Sequence, residues 1–171
     1  KGNHVLNTNG GPQEFFQTPW FNPGIWMSSK VVFDHLITCD GSLTPTRGVM
    51  VDSYTLSDDG LTLSFELKDG LTWHDGSPLT VDDVRFSVEL ASTVVPAVHP
   101  VFMTTFGSLK GIAAFKDGSA DGISGITTKG NTITFEFDAL DPNVLLTFTQ
   151  FAILPEKYLG DADPLKFQQD P

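Results

Sequence analysis

The residues with the chemistry to act as nucleophiles, bases or metal ligands are few and widely separated. Cys39 is the only cysteine in 171 residues, so the chain offers neither an internal disulfide nor a thiolate cage for a metal. His35 lies four positions before Cys39, across the end of a predicted helix, and this spacing poorly suits a general base that activates a nucleophile. His74 lies in a turn and has no second ligand at regular spacing. We expect Cys39 to be a buried packing residue.

Longer motifs for chemistry are equally weak. Asp117 and Asp121 lie in a glycine-containing loop, but the loop lacks the third acidic ligand and the distal glutamate of a calcium site. The sequence contains no nucleophile elbow, no phosphate-binding loop and no dinucleotide fingerprint. We therefore expect no enzymatic activity, no metal site and no cofactor.

Composition narrows the classes of partner. The formal net charge is −11, and this acidity argues against nucleic acid and against an anionic membrane surface. Hydrophobic residues make up 40% of the chain, with 14 phenylalanines against two tyrosines, so the aromatic rings are expected mostly in a packed core. No window is apolar enough to span a bilayer. No signal peptide is evident at Lys1, so an exported protein would have lost its signal.

The elements that would position a site follow from local patterns. Residues 10–24 contain several prolines and glycines and are expected to form a loop, although they carry Phe15, Phe16, Trp20 and Phe21. Residues 26–36 are predicted to form a helix, and residues 36–39 a strand. Large aromatic side chains on a loop indicate either an anchor or a binding surface.

The middle of the chain predicts antiparallel strands and one capped helix. Residues 61–67 alternate apolar and polar side chains, and residues 123–128 and 132–137 flank a turn, which is typical of hairpins. Thr80, followed by Asp82 and Asp83, predicts the N-terminus of a helix. The fold class is therefore α+β, a mainly antiparallel sheet with flanking helices.

One stretch resembles a known family over more than thirty positions. Residues 56–87 read LSDDGLTLSFELKDGLTWHDGSPLTVDDVRFS. This resembles the signature of the family 5 extracellular solute-binding proteins of ABC importers, whose ligands include oligopeptides, dipeptides and nickel. Residues 32–40, 126–141 and 153–157 are similar to further family segments. The chain departs from the family pattern after Pro45, where Thr46 and Arg47 replace the usual residues.

The resemblance implies the N-terminal portion of a two-lobed, periplasmic-binding-protein-like (type II) fold. Residues 1–47 would begin lobe I, residues 48–171 would form a small α+β subdomain inserted into it, and the second lobe would be absent from this piece. Most signature residues would set turns, cap a helix or fill the core, and Phe65, Trp73 and Phe86 are the ones expected in the core. The signature would therefore identify the family without marking a binding site.

For function, the resemblance implies the substrate-capture component of an ABC importer, with peptides as the expected ligands. Nickel chelates, oligosaccharides and a surface adhesion role stay open as alternatives. The expected partners are a peptide or small-molecule ligand and the permease subunits. The expected state is a monomer in the periplasm or outside the cell, with a lipid anchor as one form. The ligand-side residues implied are Trp20, Phe21, Asn22, Ile25, Trp26 and Phe102, although Trp20 and Phe21 could instead plug lobe I, and packing is favoured for Phe102.

Overall fold

The computed structural model describes residues 33–42, 44–93 and 100–160. Within them the chain forms six strands: β1 (Ile37–Cys39), β2 (Pro45–Arg47), β3 (Val51–Leu56), β4 (Thr62–Leu67), β5 (Ile126–Lys129) and β6 (Thr132–Glu136). The same residues form five helices: α1 (Val81–Thr93), α2 (Pro100–Gly107), α3 (Ile112–Lys116), α4 (Val144–Phe148) and α5 (Glu156–Leu159). None of these helices has the length and apolar character needed to cross a membrane.

Four strands form an antiparallel sheet in the order β3-β4-β6-β5. The strand β4 lies inside the sheet because its alternation gives it one apolar face, on which Leu63, Phe65 and Leu67 are all buried. Phe65 lies opposite Ile133 of β6, which places two buried side chains side by side across the strands. The α+β class, the strand predicted at residues 61–67 and the predicted hairpin are confirmed.

Two turns of this sheet depend on glycine. Gly60 has φ of 70° and Gly130 has φ of 60°, a left-handed conformation that disfavours residues with a Cβ atom. In the first turn, the Asp59 carboxylate accepts a hydrogen bond from the Leu61 amide at 3.0 Å and from the Ser57 hydroxyl at 2.5 Å. The turn chemistry therefore fixes where β4 begins.

The predicted helix at residues 26–36 is wrong where the structure describes it. His35 forms an isolated antiparallel bridge with Ala152, and β1 begins at Ile37. Pairing with a distant segment holds residues 33–36 in a non-helical conformation, and a local pattern cannot reveal such a partner. Residues 26–32 of that prediction lie outside the described residues. The strand predicted at residues 36–39 is confirmed as β1.

The strands β1 and β2 form a separate two-stranded sheet. The Asp40 carboxylate shapes the turn between them by accepting hydrogen bonds from the amides of Ser42 at 2.8 Å and Thr44 at 3.0 Å. The chain then passes against its own backbone at Gly48, where an added Cβ would lie 2.2 Å from the Leu36 carbonyl oxygen. Only glycine fits this crossing without moving the backbone.

The N-terminus of α1 carries the predicted cap. The Thr80 hydroxyl accepts a hydrogen bond from the Asp82 amide at 3.2 Å, and the Asp83 carboxylate accepts one from the Thr80 amide at 2.9 Å. This reciprocal pair satisfies backbone donors that a helix start leaves unpaired. The helix begins where the sequence predicts it.

The core is dominated by phenylalanine. In the part of the chain that the structure describes, six phenylalanine rings are less than 2% exposed: Phe65, Phe102, Phe106, Phe135, Phe148 and Phe151. Phe148 of α4 lies among three of them, with ring centroids 5.0 Å from Phe65, 5.0 Å from Phe135 and 6.0 Å from Phe106. Edge and tilted contacts of this kind add to the free energy gained by burying the rings.

A buried polar group joins α2 to α4. The Thr105 hydroxyl donates to the Asp141 carboxylate at 2.5 Å and lies 2.7 Å from the Thr147 hydroxyl. The other Asp141 oxygen accepts a hydrogen bond from the Asn143 amide at 2.8 Å, just before α4. All three side chains in the network are at most 8% exposed, so its hydrogen bonds offset the cost of burying polar atoms.

Candidate functional site

A cavity of about 690 Å³ opens beside the loop that connects β4 to α1. We name it the Trp73 cavity. Most of its lining is apolar: Phe33, Val49, Met50, Leu71, Trp73 and Leu79. Among the described residues, Asp34, Thr72, His74, Ile153 and Pro155 also line it. The volume lies in the range of pockets that take small ligands or large side chains.

The loop at residues 71–79 holds its shape through backbone hydrogen bonds. The Trp73 amide donates to the Ser77 carbonyl at 2.8 Å, and the Leu79 amide donates to the Leu71 carbonyl at 3.0 Å. Gly76 takes φ of 81° at the tip. The loop therefore presents Leu71, Trp73 and Leu79 on one rigid wall of the cavity.

A buried carboxylate fixes the indole of that wall. The Trp73 Nε1 donates to Asp83 Oδ2 at 3.4 Å, and the same oxygen accepts the Thr80 amide. The other oxygen, Oδ1, accepts the amide of Glu156 at the start of α5 at 3.0 Å. Asp83 is 7% exposed, so one buried side chain holds the cavity wall, α1 and α5 together.

A second carboxylate secures the tip of the loop from outside. Asp75 accepts hydrogen bonds from the Ser77 hydroxyl at 2.6 Å and the Tyr158 hydroxyl at 2.5 Å, and its Oδ2 lies 3.2 Å from the Lys157 ammonium. The hydrogen bond from Ser77, followed by that from Tyr158, holds the pKa of Asp75 well below its usual range. The hydrogen bond to Asp75 in turn raises the pKa of Lys157. These contacts tie α5 to the signature loop.

Replacing this carboxylate, Asp75→Asn, is expected to make stability less dependent on acid pH. The folded-state pKa of Asp75 lies below its unfolded value of about 4, so its stabilising contribution is present above that value. It is lost as the pH falls through the folded-state pKa. The difference in melting temperature between wild type and variant should stay constant from neutral pH down to about pH 5 and narrow below about pH 4.

Melting curves recorded by circular dichroism across this range check the prediction. Asp58→Asn, which removes an exposed carboxylate from the turn before β4, controls for the loss of one negative charge. A difference for Asp75→Asn that widened towards low pH would contradict the assigned hydrogen bonds.

The chemistry available in the Trp73 cavity is apolar contact. Trp73 and Phe33 offer flat rings, and Asp34 and His74 supply polar groups at exposed positions. Within residues 33–42, 44–93 and 100–160, no group of three or more His, Cys, Asp or Glu side chains could hold a metal ion. Cys39 is half-buried in β1, so the prediction that it is buried is wrong. The lining suits an aromatic or aliphatic group.

The residues expected on the ligand side are only partly described. Trp20, Phe21, Asn22, Ile25 and Trp26 lie outside the described residues, so their role stays a prediction. Phe102 is 1% exposed in the core, with ring centroids 5.4 Å from Phe151 and 6.3 Å from Phe106. This burial agrees with the packing role that the sequence favours for Phe102. A contact between Phe102 and a ligand stays a prediction.

The Trp73 cavity itself is not predicted from the sequence. Trp73 is expected in the core, and the structure places it half-buried at a cavity wall. The available signal is three large apolar residues, Leu71, Trp73 and Leu79, flanking a tight turn. Three large apolar side chains around one turn are more than the turn can bury against itself, which indicates an apolar surface beside it.

A comparison with protein families identifies the chain. Residues 46–171 match the sequence model described as "Bacterial extracellular solute-binding proteins, family 5 Middle". The chain belongs to this family. The resemblance of residues 56–87 to the family signature is therefore confirmed, and the family consists of solute-binding proteins, not enzymes.

Curated family 5 relatives are several times longer than this chain. The oligopeptide-binding protein OppA of Lactococcus lactis is 30% identical over 125 residues, which cover 68% of this chain and 20% of OppA. The glutathione-binding protein GsiB of Escherichia coli is 38% identical over 53 residues, covering 31% of this chain and 10% of GsiB. A protein of Brucella ovis is 27% identical over 132 residues, covering 77% of this chain and 22% of that protein. The chain thus spans about a fifth of OppA and of the Brucella ovis protein.

Solved structures of family 5 proteins share the fold. Lactococcal OppA in a closed complex with an endogenous peptide superposes with a TM-score of 0.74 at 23% identity, over 91% of this chain and 30% of that one. The unliganded, open periplasmic murein tripeptide-binding protein MppA gives a TM-score of 0.66 at 20% identity, over 83% and 28%. The predicted placement in part of a periplasmic-binding-protein fold is confirmed.

Proposed function

We propose that the chain is part of the solute-capture component of an ABC importer and that its ligands are peptides. The observation that carries this proposal is the family match over residues 46–171, together with the 30% identity to an oligopeptide-binding protein. A family 5 domain that captures solutes needs a rigid scaffold and a binding surface, not a catalytic group. The rigid sheet, the phenylalanine core and an apolar cavity are consistent with that need.

The domain division proposed from the sequence fits the sheet topology. Residues 1–47 would begin lobe I, and residues 48–171 would form the inserted subdomain. In support, β2 ends at Arg47 and pairs only within its own two-stranded sheet among the described strands, while the four-stranded sheet begins at Val51. Gly48, where the chain passes against Leu36, would mark the crossing between the two units.

The ligand surface proposed for lobe I consists of Trp20, Phe21, Asn22, Ile25 and Trp26, with Phe102 contributed by the inserted subdomain. Aromatic rings in a loop can stack on apolar parts of a peptide, while an asparagine can both donate and accept hydrogen bonds. The relatives are several times longer than this chain and therefore have room for a second lobe. That lobe would close over the ligand and exclude water. Affinity would then depend on contacts from both lobes.

The proposed setting follows from the same relationships. The family is one of extracellular proteins, so we place the protein in the periplasm or outside the cell, with a lipid anchor as one form of attachment. The proposed partners are the membrane permease subunits of the importer. A monomer is the form that would deliver a ligand to them.

The proposal is tested by uptake in the source organism after inactivation of the gene. Uptake of radiolabelled di- to pentapeptides is expected to fall relative to the parent strain and to recover when the intact gene is restored. Nickel chelates and oligosaccharides serve as the matched comparisons. Selective loss of nickel or oligosaccharide uptake would show that those solutes, and not peptides, are the ligands. Loss of surface adhesion with uptake unchanged would indicate the adhesion role.

A further inference from the structure

Six aspartates of the chain are followed directly by glycine, a dipeptide that can rearrange its own backbone. All six pairs lie within the described residues and begin at Asp40, Asp59, Asp69, Asp75, Asp117 and Asp121. Glycine favours the reaction because its missing Cβ atom leaves the amide nitrogen open to the preceding carboxyl group. The carboxyl group must also be free to turn towards that nitrogen. The folded structure therefore decides which of the six pairs reacts.

Hydrogen bonds hold five of these six carboxylates in the described chain. Four of them accept the backbone amide two positions further along, at distances from 2.8 to 3.0 Å: Asp40, Asp59, Asp75 and Asp117. Asp69 accepts the side-chain amide of Asn131 at 2.5 Å. Asp121 differs, because its side chain is exposed and no group within residues 33–42, 44–93 and 100–160 donates a hydrogen bond to its carboxylate.

The hydrogen bonds also lower the reactivity of the carboxyl groups that they hold. A serine hydroxyl is the main cause that holds the pKa of Asp59, of Asp75 and of Asp117 below its usual range. An amide nitrogen attacks the neutral carboxylic acid much more readily than the carboxylate. A group that is kept ionised by its hydrogen bonds is therefore protected twice, by its fixed position and by its charge.

The attacking amide is free in the same pair. Three of the other glycine amides donate to backbone carbonyls at 2.8 to 3.3 Å: Gly60, Gly76 and Gly118. The Gly122 amide donates to no group in the described part of the chain. Asp121 and Gly122 thus form the only described pair in which both reacting groups lack a hydrogen-bond partner.

We propose that Asp121 is a site of spontaneous isoaspartate formation. The Gly122 nitrogen attacks Cγ of the protonated Asp121 side chain and forms an N–Cγ bond, and the carboxyl hydroxyl leaves with the amide proton as water. The product is a succinimide ring. Water then adds to the ring carbonyl that belonged to the main chain and breaks its bond to nitrogen. This yields isoaspartate, in which the main chain runs through Cβ and Cγ, with no net change in mass.

The modification changes the loop where it meets α1. The Ile123 amide donates to Glu89 Oε1 at 3.2 Å, and an added Cβ at Gly122 would lie 3.2 Å from the same oxygen. Isoaspartate inserts one extra carbon atom into the main chain directly before this contact. We expect hydrogen exchange of the Ile123 amide to be faster in modified molecules, because the longer loop loosens the hydrogen bond to Glu89.

The test is ageing of the 171-residue chain at mildly acidic pH, once folded and once in denaturant. Trypsin cleaves after Lys116 and Lys129, so Asp117 and Asp121 fall in one peptide and Asp117 is the matched control. Electron-transfer fragmentation identifies isoaspartate at each position. In the folded chain, isoaspartate is expected to form about tenfold faster at position 121 than at position 117, whose hydrogen bonds must break first. In denaturant the two rates should become similar.

A variant links the chemistry to the loop. Asp121→Glu keeps the negative charge but would have to close a larger, less favoured ring, so the aged variant should contain no isomerised residue 121 and should keep slow exchange at Ile123. Equal rates at positions 117 and 121 in the folded chain would overturn the proposal. A preference for position 121 that persists in denaturant would overturn it as well, because local sequence and not the fold would then be the cause.

Discussion

Replacing Asp83 with alanine is expected to lower the free energy of unfolding by about 3 kcal/mol. The Asp83 carboxylate is 7% exposed and accepts hydrogen bonds from the Thr80 amide, the Glu156 amide and the Trp73 indole. Removing it leaves three donors without their partner, and buried donors that lose a partner are costly. Urea unfolding followed by circular dichroism measures the loss.

The neighbouring residue gives a matched control. Asp82 is exposed in the same first turn of α1, so Asp82→Ala removes the same charge near the helix N-terminus but none of the three hydrogen bonds. Its expected cost is about 0.5 kcal/mol, from the helix dipole alone. Similar losses for the two variants would mean that the charge, and not the buried hydrogen bonds, stabilises this junction.

Replacing Phe148 with alanine is expected to cost about 4 kcal/mol, the range observed for truncating a buried phenylalanine. Phe148 is fully buried and contacts the rings of Phe65, Phe106 and Phe135, so its loss leaves a cavity at the centre of the core. Phe148→Leu keeps most of the volume and is expected to cost less than about 1.5 kcal/mol.

Equilibrium unfolding in urea measures both variants, with Leu140→Ala as a surface control. Leu140 is 65% exposed, and its truncation is expected to change stability by less than about 0.5 kcal/mol. A cost for Phe148→Ala close to that of the surface control would show that α4 does not pack on the sheet as described.

Local sequence patterns predict the elements whose causes are local. The alternation at residues 61–67 predicts β4, and Thr80 with Asp82 and Asp83 predicts the start of α1. The glycine-containing turns at Gly60 and Gly130 are equally visible, because a left-handed backbone conformation selects for glycine. Each of these features depends on residues within a few positions of one another.

Features that depend on distant contacts are not predictable in this way. The β-bridge between His35 and Ala152 stands where the sequence predicts the end of a helix. The hydrogen bond from the Glu156 amide to the Asp83 carboxylate joins residues that are 73 positions apart. The described lining of the Trp73 cavity comes from separate stretches of chain, so no single stretch reveals it.

We propose that this family 5 chain serves solute capture for peptide import. Uptake of labelled peptides by cells with and without the gene tests this most directly. We expect peptide uptake to fall on inactivation and to recover with the intact gene, while nickel and oligosaccharide uptake stay at the parental level. Peptide uptake that is unchanged by loss of the gene, in cells that lack a second importer for the same peptides, would contradict it.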